Sequence, residues 1–372
     1  MLSIKRLEHN KKYTLGQYII LLTYSFSLIL IIKEADTAIE YMKSGLLLCA
    51  KTVIPSLFPF MVISELIVRS GLGNIIGNMF GYPIKKLFGT SRSASFAIIM
   101  GILCGFPIGA KTIVSLLDSR EIDEEEASRL LTFCNNPSSG FVISTIGLSL
   151  YSNKKIGIIL YTVTILNAIL IGIILHFISE PQKRKTYHNS KLFKTDPNIF
   201  TASVTSSSNG IISICGYIVF FSTIVGCLSA ILTPLNISNF NLSLIYGFFE
   251  LSGGVSLSSS IGISTPGICL TAFIIGWSGL SVHFQVMSVC SKYNLSFKKY
   301  FIAKFFHAML NSITIYLLFR SFPLLFKSTT ESTVSLTIND NKYIIRILLL
   351  FIISIFYSYK KIKCHIQRYF IV

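Results

Sequence analysis

Residues 101–141 read GILCGFPIGAKTIVSLLDSREIDEEEASRLLTFCNNPSSGF, and the reading of this stretch decides the fold. It begins inside an apolar run of the kind that crosses a bilayer without interruption. The run is broken by Gly105-Phe106-Pro107-Ile108-Gly109, and a cation, Lys111, follows two residues later. A short acidic segment comes next, then a second polar break at Asn135-Asn136-Pro137-Ser138-Ser139-Gly140. Breaking a helix at membrane depth frees backbone N–H and C=O groups that lipid cannot satisfy. Such breaks persist only where protein or a wet cavity covers them. In transporters they hold the substrate, and half-helix N-termini present the positive ends of their dipoles to anions. The stretch therefore reads as half of a binding site.

The rest of the chain agrees with a membrane setting. Of 372 residues, 52% are hydrophobic and 13% charged, with a mean hydropathy of +0.65, which excludes an ordinary soluble domain. The apolar residues come in blocks of about twenty, the length that crosses a hydrocarbon core of ~30 Å. The formal net charge of +17 sits in the gaps between those blocks. It forms no groove-lining pattern with interleaved aromatics, so it reads as the basic bias of cytoplasmic loops and not as a nucleic-acid surface. The cysteines (49, 104, 134, 215, 227, 269, 290 and 364) form no CxxC pair and no Cys/His ligand spacing. Neither disulfides nor a metal or cofactor site is expected.

Taken in order, residues 1–34 read as a basic cytoplasmic N-terminus and a retained first span. Residues 44–69 form a second apolar block kinked at Pro55 and Pro59, and 70–93 a Gly-rich basic loop. The block 94–117 holds the first break. Residues 123–134 read as a short amphipathic helix, with Asp123 and Glu126 as a capping box and the neighbouring acids as its solvated first turn. Residues 139–150 are too short to span alone and suit one arm of a re-entrant hairpin or half of a broken helix. Spans follow at 156–178, 209–232, 242–263, 267–290 and 299–326, with a cytoplasmic basic linker at 181–200. Residues 327–372 read as a polar excursion, a last span and a basic cytoplasmic tail. The expectation is an all-α membrane protein of about eight to ten apolar segments, both termini cytoplasmic.

The two halves, 35–180 and 201–326, resemble each other in layout. Ala97-Ile-Ile-Met-Gly101 and its Gly-rich break line up with Ala272-Phe-Ile-Ile-Gly276 and the break Trp277-Ser278-Gly279. Corresponding broken segments in two halves point to a site at the repeat interface. Three motifs then become specific: Cys104-Gly-Phe-Pro-Ile-Gly-Ala-Lys111, Glu126-Ala-Ser-Arg-Leu-Leu-Thr-Phe-Cys-Asn-Asn136, and Gly276-Trp-Ser-Gly-Leu-Ser-Val-His-Phe-Gln-Val286. On these the chain resembles the sporulation integral membrane proteins of the YlbJ type over roughly residues 40–325. The resemblance implies two nucleoside-recognition (Gate) repeats shared with concentrative nucleoside transporters. It also implies a place in the outer forespore membrane of a spore-forming bacterium and movement of dipicolinic acid towards the spore.

The residues expected to contact a small anionic substrate are Gly105, Pro107, Gly109, Lys111, Asn135, Asn136, Ser138, Ser278, Ser281, His283 and Gln285. Lys111 inside a span costs about 2.5–3.5 kcal/mol on insertion scales, which calls for a cavity or for snorkelling to the interface. Asn135, Asn136 and Ser138 either line that cavity or satisfy freed backbone groups. Glu250 is the one acid in the second half's spans; a coupling proton, a bound cation, a pairing with Lys111 and a structural role all remain open to it. Two other classes compete. Gly276-Trp-Ser-Gly279 with His307 has the outline of an intramembrane serine protease, but the matching break in the first half carries no serine. A passive envelope scaffold leaves Lys111 and Glu250 unexplained. The expectation is therefore transport without covalent chemistry, with a nucleoside as the alternative solute.

Overall fold

The computed structural model describes residues 15–178 and 198–326, and all regular structure among them is helical. The basic N-terminus, most of the 181–200 linker, the last span and the basic tail lie outside the described residues. The described chain up to Phe322 forms one compact unit; Pro323–Phe326, a 3-10 turn, belongs to a second.

Helix α1 (Leu15–Lys33) is followed by α2 (Ala35–Leu48) and α3 (Ile54–Ser70), joined through a π-helical stretch, Cys49–Val53. The expected kink at Pro55 is thus a change of helical pitch. The N–H of Ile54 bonds to Cys49, five residues back, just before Pro55, which has no N–H to offer. The expected loop at 70–93 is instead a helix, α4 (Leu72–Phe88). Its ends are where the glycine signal belongs: Gly71 and Gly89 adopt φ of 81° and 59° and cap the preceding helices. Glycines inside it cost only about 1 kcal/mol each, and at Gly81 a Cβ would stand 2.9 Å from the Cβ of Arg92, so close packing there uses the missing side chain.

Helices α5 (Ala94–Leu103) and α6 (Ile108–Asp118) flank the first break, which lies where the sequence places it. Helix α7 (Glu124–Leu131) starts at Asp123, whose carboxylate accepts the N–H of Glu126 at 2.7 Å. The capping box is only half made, because the Glu126 carboxylate turns to the N–H of Ser91. Burial pushes that carboxyl above its usual range, and the Ser91 N–H opposes the shift. After the second break a π-helical segment, Gly140–Leu150, turns back against α8 (Lys154–Ile178). The two meet at Gly147 and Gly157, where a Cβ on the first would lie 2.5 Å from the Cα of the second.

The second half opens with α9 (Asn198–Leu232), which at 1.5 Å per residue runs to about 52 Å and exceeds the ~30 Å core. The expected span at 242–263 is broken at Glu250 into α10 (Asn239–Phe249) and α11 (Leu251–Ser260). Next come α12 (Thr265–Trp277) and α13 (Gly279–Val289), separated at Ser278, and then α14 (Phe297–Ser321).

Among the described residues, four helical stretches are long and apolar enough to cross a membrane: 154–178, 198–235, 265–289 and 297–321. Large apolar side chains such as Leu22, Ile29, Tyr82, Phe306 and Leu317 face outward, as a lipid solvent allows. The halves are not separate bodies. Tyr151 bonds to Thr271 at 2.7 Å, and the backbone N–H of Ser296 to Ser128 at 3.0 Å.

Candidate functional site

Within each half the two breaks lie against each other. In the first, Gly101, Gly105 and Gly109 recur every four residues and make a bare stripe over which residues 134–138 run. A Cβ on Gly101 or Gly109 would stand 1.9 or 2.3 Å from the Cys134 carbonyl oxygen, and one on Gly105 would stand 2.4 Å from the Ser138 nitrogen. Gly105 also has φ of 79°, and the Phe106-Pro107 peptide is cis. The N–H of Phe106 donates to the Asn136 carbonyl at 2.7 Å, tying break to break. In the second half Gly279, with φ of 80°, lies over the Glu250 break, its missing Cβ 3.0 Å from the Leu251 nitrogen.

The breaks differ in how their freed polar groups are met. Glu250 caps α11: its two oxygens accept the N–H groups of Ser252 and Gly253 at 2.9 and 2.6 Å. It is not paired with Lys111. The Trp277 indole donates to the Phe248 carbonyl at 3.1 Å, and Ser278 donates to the Ile275 carbonyl at 3.1 Å. Ser278 is therefore held by its own helix. His307 bonds to the Thr164 carbonyl at 2.9 Å and faces Lys304 at 3.4 Å, so the serine and histidine form no hydrogen-bonded nucleophile and base.

The first-half crossing leaves polar groups unmet. Pro107 is buried as the residue before α6, and Ser138 accepts the N–H of Phe141 at 3.3 Å. Asn136 donates to the Phe133 carbonyl at 2.8 Å, yet its side-chain oxygen meets no partner. Asn135 is 2% exposed, and both of its amide atoms are without a hydrogen bond among the described residues. His283, fully buried, is ringed by Trp277, Tyr300 and Phe301; its Nδ1 meets the Tyr300 hydroxyl at 3.0 Å and its Nε2 meets nothing. Gln285 donates to Ser281 at 3.3 Å on the same helix, α13. Buried polar groups are nearly always satisfied, so a set of orphans at one crossing asks for an occupant.

Lys111 lies apart from this set. Its Nζ donates to Ser207 of α9 at 3.0 Å and feels the Glu65 carboxylate and the Arg69 guanidinium. Glu65 pairs with Arg69 at 2.7 Å and accepts from Ser115 at 2.9 Å, while Ser64 and Thr112 bond beside it at 2.8 Å.

Sequence reasoning passed over three of these residues. Glu65 and Lys304 are single charges inside apolar runs, the signal that singled out Lys111, and Tyr300 carries no signal of its own. Farther out, the tips of α6 and the turn after α13 are joined by Asp118, which takes Lys292 at 2.5 Å and the Tyr293 hydroxyl. That carboxylate pushes the Lys292 ammonium above its usual range.

No family model and no solved structure matches the chain. Among curated proteins it is similar to the sporulation integral membrane protein YlbJ of Bacillus subtilis (strain 168). The two are 26% identical over 337 residues, covering 81% of this chain and 83% of that protein. That similarity runs over four-fifths of both chains and supports the resemblance to the sporulation integral membrane proteins of the YlbJ type.

Proposed function

We propose that this membrane protein transports a small anionic metabolite during sporulation, dipicolinic acid carried towards the forespore, across the outer forespore membrane and with both termini in the cytoplasm. One observation carries the reading. The crossed breaks of the first half leave Asn135 and Asn136, and α13 of the second half leaves His283, with unmet polar atoms deep inside a lipid-embedded bundle. A scaffold gains nothing from such groups, each of which costs about 1–3 kcal/mol when buried unsatisfied. A transport site gains a place where a polar solute exchanges its water for protein.

Charge favours an anion. Lys304 is buried in the spanning helix α14, and the starts of α6 and α13 present half-helix N-termini at the breaks. A nucleoside remains the second reading, because the unmet amides of Asn135 and Asn136 are the groups a base or ribose would use.

Uptake into vesicles carrying the full chain separates the two. Labelled dipicolinate is expected to accumulate, and excess uridine is expected to leave its rate unchanged. Uptake of labelled uridine with no dipicolinate signal would replace the anion by the nucleoside.

A further inference from the structure

Helix α14 carries a polar seam, Tyr300, Lys304, His307 and Asn311, on the face it buries. The lower part of the seam is closed. His307 bonds to the Thr164 carbonyl at 2.9 Å, and Asn311 exchanges bonds with Thr164 and Asn167 at 3.3 and 2.9 Å. Its upper part opens onto the first-half crossing. Lys304 is 1% exposed, and its Nζ has two neighbours, the Asn135 carbonyl oxygen at 3.1 Å and His307 Nδ1 at 3.4 Å.

An ammonium has three donors, and no carboxylate among the described residues acts on this one. Lys111 differs: it is 8% exposed, bonded to Ser207, and in the field of the Glu65 carboxylate, which it shares with Arg69. A buried cation without a countercharge is far costlier than one that has it. An incoming carboxylate would supply the missing charge at Lys304, and around it stand the free groups to complete the fit. With Tyr300 donating to Nδ1, His283 presents Nε2–H, and the Asn135 amide offers a second N–H.

We propose that Lys304, rather than Lys111, receives a carboxylate of the transported solute, in a buried site completed by Asn135 and His283. This rests on the transport reading above and names the group that makes the site select for charge. The ligand class is a small planar carboxylate whose oxygens span an ammonium and two neutral N–H donors.

Charge selection is the readout that tests it. Pyridine-2,6-dicarboxylate and its neutral diamide are titrated against the purified full chain, alongside the dicarboxylate uptake assay. The wild type is expected to prefer the dicarboxylate at least tenfold. Lys304→Gln keeps a donor for the Asn135 carbonyl and removes the charge, so it is expected to collapse that preference towards one. Lys111→Gln is expected to retain it, and thermal unfolding confirms that both variants are folded. Should Lys304→Gln fail to fold, His283→Ala substitutes for it, with an expected loss of dicarboxylate affinity of several-fold. Wild-type uptake of dicarboxylate with a preference unchanged in Lys304→Gln, or lost only in Lys111→Gln, overturns the assignment and leaves the transport reading standing. Binding of uridine alone removes both.

Discussion

The two crossings of broken helices share a layout and differ in satisfaction. In the second half the freed groups are met from within: Glu250 caps α11, Trp277 takes the Phe248 carbonyl, and Ser278 folds back on Ile275. In the first half the closest packing of backbone on backbone coexists with the unmet amide atoms of Asn135 and Asn136, and the Asn135 carbonyl borrows a lysine from α14. A break that satisfies itself is a structural joint, and one that does not is a place for a ligand. Symmetry of sequence layout therefore says nothing about symmetry of role.

The largest expected effect tests the packing side of this contrast. Gly105→Ala puts a Cβ 2.4 Å from the Ser138 nitrogen at a φ of 79°. Overpacking of about 1–3 kcal/mol adds there to a left-handed backbone cost of about 1–2 kcal/mol. Thermal unfolding in detergent should show a severe loss. Gly279→Ala has a comparable φ but meets its neighbour at 3.0 Å, and should show mainly the backbone cost. Equal losses at the two sites would mean that the crossings are packed alike.

Glu250→Ala removes two accepted N–H bonds at a helix start, and should lower stability by about 0.5–2 kcal/mol, in the range of other N-cap losses. Glu250→Gln retains an acceptor and should transport nearly as well as the wild type. A folded Glu250→Gln with no uptake would show that the carboxylate carries a proton or cation, and the second crossing would no longer count as a joint.

Asn135→Leu should be the mildest for stability, within about 0.5 kcal/mol or slightly stabilising, since removing an unsatisfied polar group forfeits no bond. Dicarboxylate binding should nevertheless fall by tenfold or more. Unchanged binding with a clear loss of stability would reverse the reading of the orphaned amide.

Much of this was legible in the sequence, for local reasons. Block length and hydropathy are properties of consecutive residues, and they determine a helical membrane protein. Glycine and proline act on their own backbone, so the breaks at 105–109, 135–140 and 277–279 were visible. The same signals misled where neighbours outweigh them. The glycine-rich 72–88 became a helix, and the apolar run through Glu250 concealed a break, because capping by one carboxylate makes that break stable. Only the tertiary structure decided which polar groups remain unmet. Satisfaction depends on atoms 96 residues apart for Lys111 and Ser207, and 169 apart for Lys304 and Asn135. Sequence alone marked one cation, Lys111, inside an apolar run; long-range packing decided that Lys304 is buried as well and which atoms each of the two meets.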